Sequence, residues 1–120
     1  MKKVIIIAGL LLLIYTGYRI YYFANLHEGL QQVMEQGGVV LDVRTESEYS
    51  TGHIPGSINI PLSRLHAATL PLSRDARYVT VCSHGLRSVK AVTLLKEKGY
   101  THVYNGGAWS DLERSLKRSK

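Results

Sequence analysis

One cysteine occurs in 120 residues, and it stands in the run Val79-Thr80-Val81-Cys82-Ser83-His84-Gly85-Leu86-Arg87-Ser88. Apolar, largely β-branched residues precede it and a helical pattern follows, so Cys82 falls where a strand gives way to a helix. In open α/β proteins that carboxyl edge of a parallel sheet is where ligands bind. Gly85 permits a tight turn whose successive N–H groups converge on one point as an anion-binding nest, and the helix N-terminus adds positive potential. A thiol in that field is more acidic than a free cysteine, hence more often the nucleophilic thiolate. A lone cysteine ending an apolar strand otherwise reads as a small buried hydrophobe. Glycine and arginine at these offsets favour chemistry.

The elements that must hold this loop follow from the alternation of helix-like and strand-like stretches, which predicts a mostly parallel sheet covered by helices. Leu26 to Gln36 places Leu26, Leu30, Val33 and Met34 on one helical face and stops at Gly37-Gly38. Val39 to Val43 is apolar on both faces, as a central parallel strand requires. Ser57 to Ile60 reads as a short strand ending at Pro61, and Leu62 to Ala68 as a helical turn or two. Tyr78 to Val81 is a second central strand. Leu86 to Lys98 is a helix ended by Gly99, His102 to Tyr104 a last strand before Gly106-Gly107, and Trp109 to about Leu116 a closing helix. Roughly 97 residues suffice for one modest core.

The loop CSHGLRS resembles the CxxGxR[ST] active-site loop of the rhodanese-like sulfurtransferases, and the resemblance extends beyond it. Upstream, Leu41-Asp42-Val43-Arg44 with Glu48, Tyr49, Gly52-His53-Ile54-Pro55-Gly56-Ser57 and Ile58-Asn59-Ile60-Pro61 is similar to the family's LDVR, E(Y/F) and GHIPGAxNIP stretch. Downstream, Leu95, Gly99-Tyr100, Val103, Gly106-Gly107 and Trp109 resemble its closing pattern. The resemblance covers Leu26 to Leu112. It implies a five-stranded parallel sheet flanked by helices. It also implies that Cys82 takes the outer sulfur of a donor such as thiosulfate, carries it as a persulfide and passes it to cyanide or a thiol, a ping-pong form of covalent catalysis.

Within that reading the backbone N–H groups of Ser83, His84, Gly85, Leu86, Arg87 and Ser88 bind the persulfide anion as they would an oxyanion. Arg87 orients the loop or attracts the anionic donor, and planar guanidinium geometry suits either role. His84 is placed at the loop rim, where it meets the donor's sulfonate end or is merely exposed. Asp42 and Arg44, two apart on one side of a strand, are expected as supporting residues. By the resemblance Asp42 supports the loop from the neighbouring strand end, while Arg44 pairs with Glu48. His53 is expected to hydrogen-bond backbone within a turn, and Trp109 to line the core or a pocket wall.

Related folds with phosphatase or arsenate-reductase activity place five residues between cysteine and arginine, whereas four stand here, Ser83 to Leu86. No loop carboxylate offers a general acid for a leaving alcohol. The alternatives of a different class are a non-catalytic membrane-tethered docking module and a thiol sensor, which without a second cysteine would need a partner or a small thiol for its disulfide.

At the other end of the chain Met1-Lys2-Lys3 precedes Val4 to Tyr18, fifteen residues without charge, then Arg19 and Ile20-Tyr21-Tyr22-Phe23-Ala24. A helix from Val4 to Phe23 spans ~30 Å, the thickness of a hydrocarbon core. Arg19 can snorkel, and Tyr18, Tyr21 and Tyr22 suit an interfacial belt. Bulky Tyr22 before Ala24 disfavours signal cleavage. The expectation is a membrane anchor, or an uncleaved signal-like segment, over residues 1–24 and a rhodanese-like domain over 25–120. Lys2 and Lys3 against Arg19 put the N-terminus in the cytoplasm and the domain on the outer side.

From Ala24 onward 12 basic residues face 9 acidic ones, the surplus lying in Arg114 to Lys120. That is a solvated helix end, and no basic stripe interleaved with aromatics points to nucleic acid. His27, His53, His66, His84 and His102 lack ligand spacing. No metal or other cofactor is expected, and the partners are a small sulfur donor, a thiol or cyanide acceptor, and the membrane.

Overall fold

A computed structural model of the chain describes residues 1–25, 28–67 and 69–118. Leu26 of the expected helical face, Ala68 of the expected helical turn and Ser119-Lys120 of the basic tail lie outside the described residues. Helix α1, Lys2–Asn25, is long and apolar enough to cross a membrane, and its residues Lys2–Tyr22 are all exposed. Helix α2 follows at Glu28–Glu35 and ends where Gly37 turns to φ 93° and the Gly38 N–H reaches back to the Val33 carbonyl at 3.0 Å.

Strand β1 (Val39–Asp42), helix α3 (Glu46–Thr51), strand β2 (Ile58–Asn59), a 3-10 turn (Leu62–His66), strand β3 (Tyr78–Cys82), helix α4 (Leu86–Glu97), strand β4 (Val103–Ala108) and helix α5 (Trp109–Arg118) complete the order. The sheet is parallel throughout, with strand order β2-β1-β3-β4. It therefore has four strands among the described residues, not the five the family resemblance implied. Helix α1 runs to Asn25 and α2 starts at Glu28, which leaves no stretch ahead of α2 long enough for another strand.

Side chains alternate across the sheet. Tyr78 and Cys82 of β3 face the α4 side with Leu41, Leu65, Ala91, Leu95 and Val103, whereas Val79 and Val81 face the α2 and α5 side with Leu30, Val40, Ile54 and Leu112. Every residue of β3 is buried, as befits the central strand. The cysteine thus ends a strand fixed on both faces.

Strand β4 runs on through the glycines that were expected to end it. Thr80 pairs with Asn105 but Val81 with Gly107, so Gly106 is the extra residue of a bulge. A Cβ on Gly106 would lie 2.7 Å from a Val79 methyl and 2.9 Å from the Thr80 carbonyl oxygen, so only glycine lets the backbones approach. The bulge brings Ala108 beside Cys82.

Candidate functional site

The backbone around Cys82 turns from strand to helix within three residues. Gly85 adopts φ 90°, a left-handed conformation that favours glycine, and α4 begins at the next residue. The turn folds the chain over the sulfur. The Gly85 N–H donates to Cys82 Sγ at 2.9 Å and the Ser88 N–H at 3.4 Å. Ser88 Oγ donates to the Gly85 carbonyl at 3.0 Å, and buried Thr80 Oγ1 donates to the Ser88 carbonyl at 2.9 Å, which ties the first turn of α4 back onto β3.

Burial, the largest single influence, pushes the Cys82 thiol up. Hydrogen bonding from Ser88, through backbone and side chain, and from the backbone of His84 and Gly85 outweighs it and leaves the thiol below its ordinary value. A small buried hydrophobe has no use for such donors. Cys82 is nonetheless only 1% exposed, at the floor of the loop. His84 and Leu86 are exposed on the rim, while Ser83, Gly85 and Arg87 are half-buried.

Arg87 grips Glu48 and stays close enough to Cys82 to feel its charge. Its Nη1 donates to Oε1 at 2.8 Å and its Nη2 to Oε2 at 2.9 Å, a bidentate fork. Nη2 also donates to Ser83 Oγ at 3.1 Å, and Ser83 Oγ donates to Glu48 Oε2 at 2.8 Å. Both ends of the loop are thereby clamped to one carboxylate. Arg87 first and Ser83 second hold that carboxyl well below the usual range.

Glu48 is placed by the N-terminus of α3. Thr45 caps the helix by accepting from the Glu48 N–H at 3.2 Å, and Glu48 Oε1 accepts from the Thr45 N–H at 3.2 Å, a complete capping box. The family resemblance implies Arg44 as the partner of Glu48 instead. The pattern Thr45-x-x-Glu48 was the available signal for the box, although not for the contact with Arg87, 39 residues away.

Arg44 takes Asp42 as its partner. Nε donates to Oδ1 at 3.0 Å and to Oδ2 at 3.1 Å, Nη2 donates to Oδ2 at 2.8 Å, and the Arg44 N–H adds a backbone bond to Oδ1 at 3.0 Å. The guanidinium then donates to the Glu48 carbonyl at 3.3 Å and the Gly52 carbonyl at 2.6 Å, and it lies 4.8 Å from the Trp109 ring centre. Asp42 and Arg44 hold the helix that carries Glu48 and reach the cysteine loop through it. Asn59 Nδ2 fixes the same corner by donating to the Asp42 and Arg44 carbonyls, each at 3.0 Å. His53 Nδ1 meets the Tyr49 carbonyl at 2.8 Å, as a turn histidine was expected to do, and its ring stacks on Tyr49.

A cavity of about 820 Å³ opens at the rim of the loop. His84, Gly85, Leu86 and Val89 form one wall, and Gly107, Ala108 and Arg114 belong to another. Its size exceeds that of any single small anion.

A family model described as a rhodanese-like domain matches residues 26–110. Over 88 residues the chain is 36% identical to thiosulfate sulfurtransferase GlpE of Pseudomonas fluorescens, covering 73% of this chain and 81% of that protein. It is 30% identical over 113 residues to a tRNA sulfurtransferase of Thermoplasma acidophilum, but spans only 22% of that protein's length against 89% of its own. Among solved structures it superposes on the human single-domain sulfurtransferase TSTD1 with a TM-score of 0.60 at 27% identity, over 75% of this chain and 92% of that one.

Proposed function

The chain belongs to the rhodanese-like domain family, and from that membership and the geometry of the loop we propose that it transfers sulfane sulfur through a persulfide on Cys82. The observation that carries the reading is the pair of amides, Gly85 and Ser88, aimed at Sγ. The thiolate attacks the outer sulfur of thiosulfate, the sulfur–sulfur bond breaks, and sulfite leaves with the electron pair. The product is a Cys82 persulfide anion. A thiolate or cyanide then attacks its outer sulfur, taking it as a new persulfide or as thiocyanate, and the Cys82 thiolate departs with the bonding pair.

Both half-reactions pass through an anion at the same place. Amides fixed there need no reorganisation as charge moves from cysteine sulfur to donor and back. Ser83, His84, Leu86 and Arg87 complete the binding loop, with Asp42 and Arg44 supporting it. Thiosulfate as donor is supported by the name of the Pseudomonas relative.

Intact-mass measurement after thiosulfate treatment tests the reading. A gain of ~32 Da, one sulfur, in the wild type and none in Cys82→Ser is expected of covalent transfer. An unchanged wild-type mass would reject it and leave the fold as a docking or sensing module.

Helix α1 is proposed as the membrane anchor of this domain, with the Lys2–Lys3 end cytoplasmic and the cysteine loop on the outer side. A membrane-impermeant thiol reagent should then reach a cysteine introduced at exposed Asp75 in intact cells. Labelling only after permeabilisation would reverse the orientation.

A further inference from the structure

The residues around the loop mouth do not belong to the cysteine loop alone. Tyr18, Arg19 and Tyr22 of α1 line the same cavity as His84, Gly85 and Leu86 of the loop and Arg114 and Arg118 of α5. The rim of the loop therefore faces the end of the apolar helix, at the level of its aromatic residues. Tyr18 and Tyr22 stack at 6.4 Å, and Arg19 Nη1 donates to Tyr15 Oη at 3.2 Å, so an amphipathic cluster marks this end of α1. In a spanning helix such residues lie among the headgroups.

Two features of the rim suit the same surroundings. Leu86 is 77% exposed and Val89, one turn on, is 50% exposed, an apolar pair beside the active loop with no cover from the domain. The cavity lining carries three guanidinium groups against one carboxylate, that of Asp111, which pairs with Arg114. Apolar side chains bracketed by arginines match the acyl boundary and the anionic headgroups of a bilayer.

We propose that the face bearing Leu86, Val89, Arg114 and Arg118 docks on an anionic lipid surface, so that the mouth of the cysteine loop opens at the membrane and not into bulk water. This rests on the reading of α1 as an anchor. The charge on the rim and its continuity with α1 single out the bilayer as occupant over a second protein. Sulfur transfer then takes place at headgroup level, where a membrane-borne acceptor meets the loop directly.

The test uses the full chain in vesicles. A Cys82→Ser background carries a bimane fluorophore on Val89→Cys, or, as a control at the opposite edge of the sheet, on Asp75→Cys. Vesicles contain phosphatidylcholine alone or with phosphatidylglycerol, and a headgroup-linked nitroxide lipid serves as quencher. Quenching at position 89 several-fold above that at position 75 in the anionic vesicles is expected, with a drop to the control level in Arg114→Glu/Arg118→Glu. Equal quenching at the two positions while the chain resists carbonate extraction would overturn the docking and leave the anchor standing. Release of the chain by carbonate would overturn the anchor and the docking together. Undiminished quenching on neutral vesicles would overturn the role of the arginines.

Discussion

Arg44 and Arg87 each grip a carboxylate, in opposite surroundings. Arg44 and Asp42 are 4% and 0% exposed, whereas Arg87 and Glu48 are each 34% exposed. The buried pair is sealed by further bonds to the Glu48 and Gly52 carbonyls and by the Trp109 ring. The outer pair closes the cysteine loop onto α3 and keeps contact with water. Glu48 belongs to both, since its carbonyl accepts from Arg44 and its carboxylate from Arg87. One charge pair fixes a helix, and that helix presents the other charge pair to the loop. The same chemistry serves stability in the interior and positioning at the rim.

Breaking the inner pair should have the largest effect on the fold. Asp42→Asn leaves the Arg44 guanidinium buried without its counter-charge, a loss of ~3–5 kcal/mol, read as a fall in the denaturant midpoint. Sulfur loading should fail in parallel. Because the pair acts as a unit, Asp42→Asn with Arg44→Ala should lose less than the sum of the two single losses. Additive losses would mean that the two side chains stabilise α3 separately.

The loop itself stands between the two pairs in expected effect. Gly85→Ala puts a side chain at φ 90°, where an L-residue is strained by ~1–2 kcal/mol. The strain is relieved by turning the Gly85 N–H away from Sγ, so the thiol should become less acidic. Iodoacetamide alkylation of Cys82 followed against pH checks this. The wild-type midpoint should fall below the ~8.5 of a free cysteine, and that of Gly85→Ala should move up towards it. A variant midpoint equal to wild type would show that the Gly85 amide contributes nothing to the thiolate.

What the sequence disclosed and what it withheld divide along local and long-range lines. Strand, cysteine, positive-φ glycine and helix start are consecutive, so the cradle of Cys82 was readable from residue types. Val39 to Val43 showed its double burial in the same way. The partner of Glu48 was not readable, because the contact to Arg87 spans 39 residues and exists only once α3 packs beside the start of α4. Gly106-Gly107 reads locally as the end of a strand. In the fold Gly106 is the bulge that lets β4 continue, since its missing Cβ admits Val79 and the Thr80 carbonyl oxygen. The fifth strand came from resemblance alone, and the length of α1 left no segment ahead of α2 to form one.

The smallest change in stability, and the sharpest contrast with the inner pair, is expected of Glu48→Gln. A half-exposed ion pair contributes within ~1 kcal/mol, so the denaturant midpoint at neutral pH should hardly move. The wild-type carboxyl lies well below its usual range, chiefly through Arg87. The stability it adds is therefore complete well above the unfolded glutamate value of ~4.3 and is lost progressively as pH falls from there through the lower folded value. Between pH 6 and 8 the clamp is charged throughout, so Glu48 adds nothing to the pH dependence of alkylation there. With Glu48 neutral, Arg87 keeps its charge near the sulfur but loses its anchor. The alkylation midpoint should fall, opposite in sign to Gly85→Ala. Sulfur loading should slow on the order of tenfold, because the loop is no longer held in register with the donor. A thiol that is more acidic yet slower in transfer would separate the charge of Arg87 from its geometry. Loading that stays at the wild-type rate would reduce the outer pair to a surface ion pair and leave the two backbone amides as the whole of the cradle.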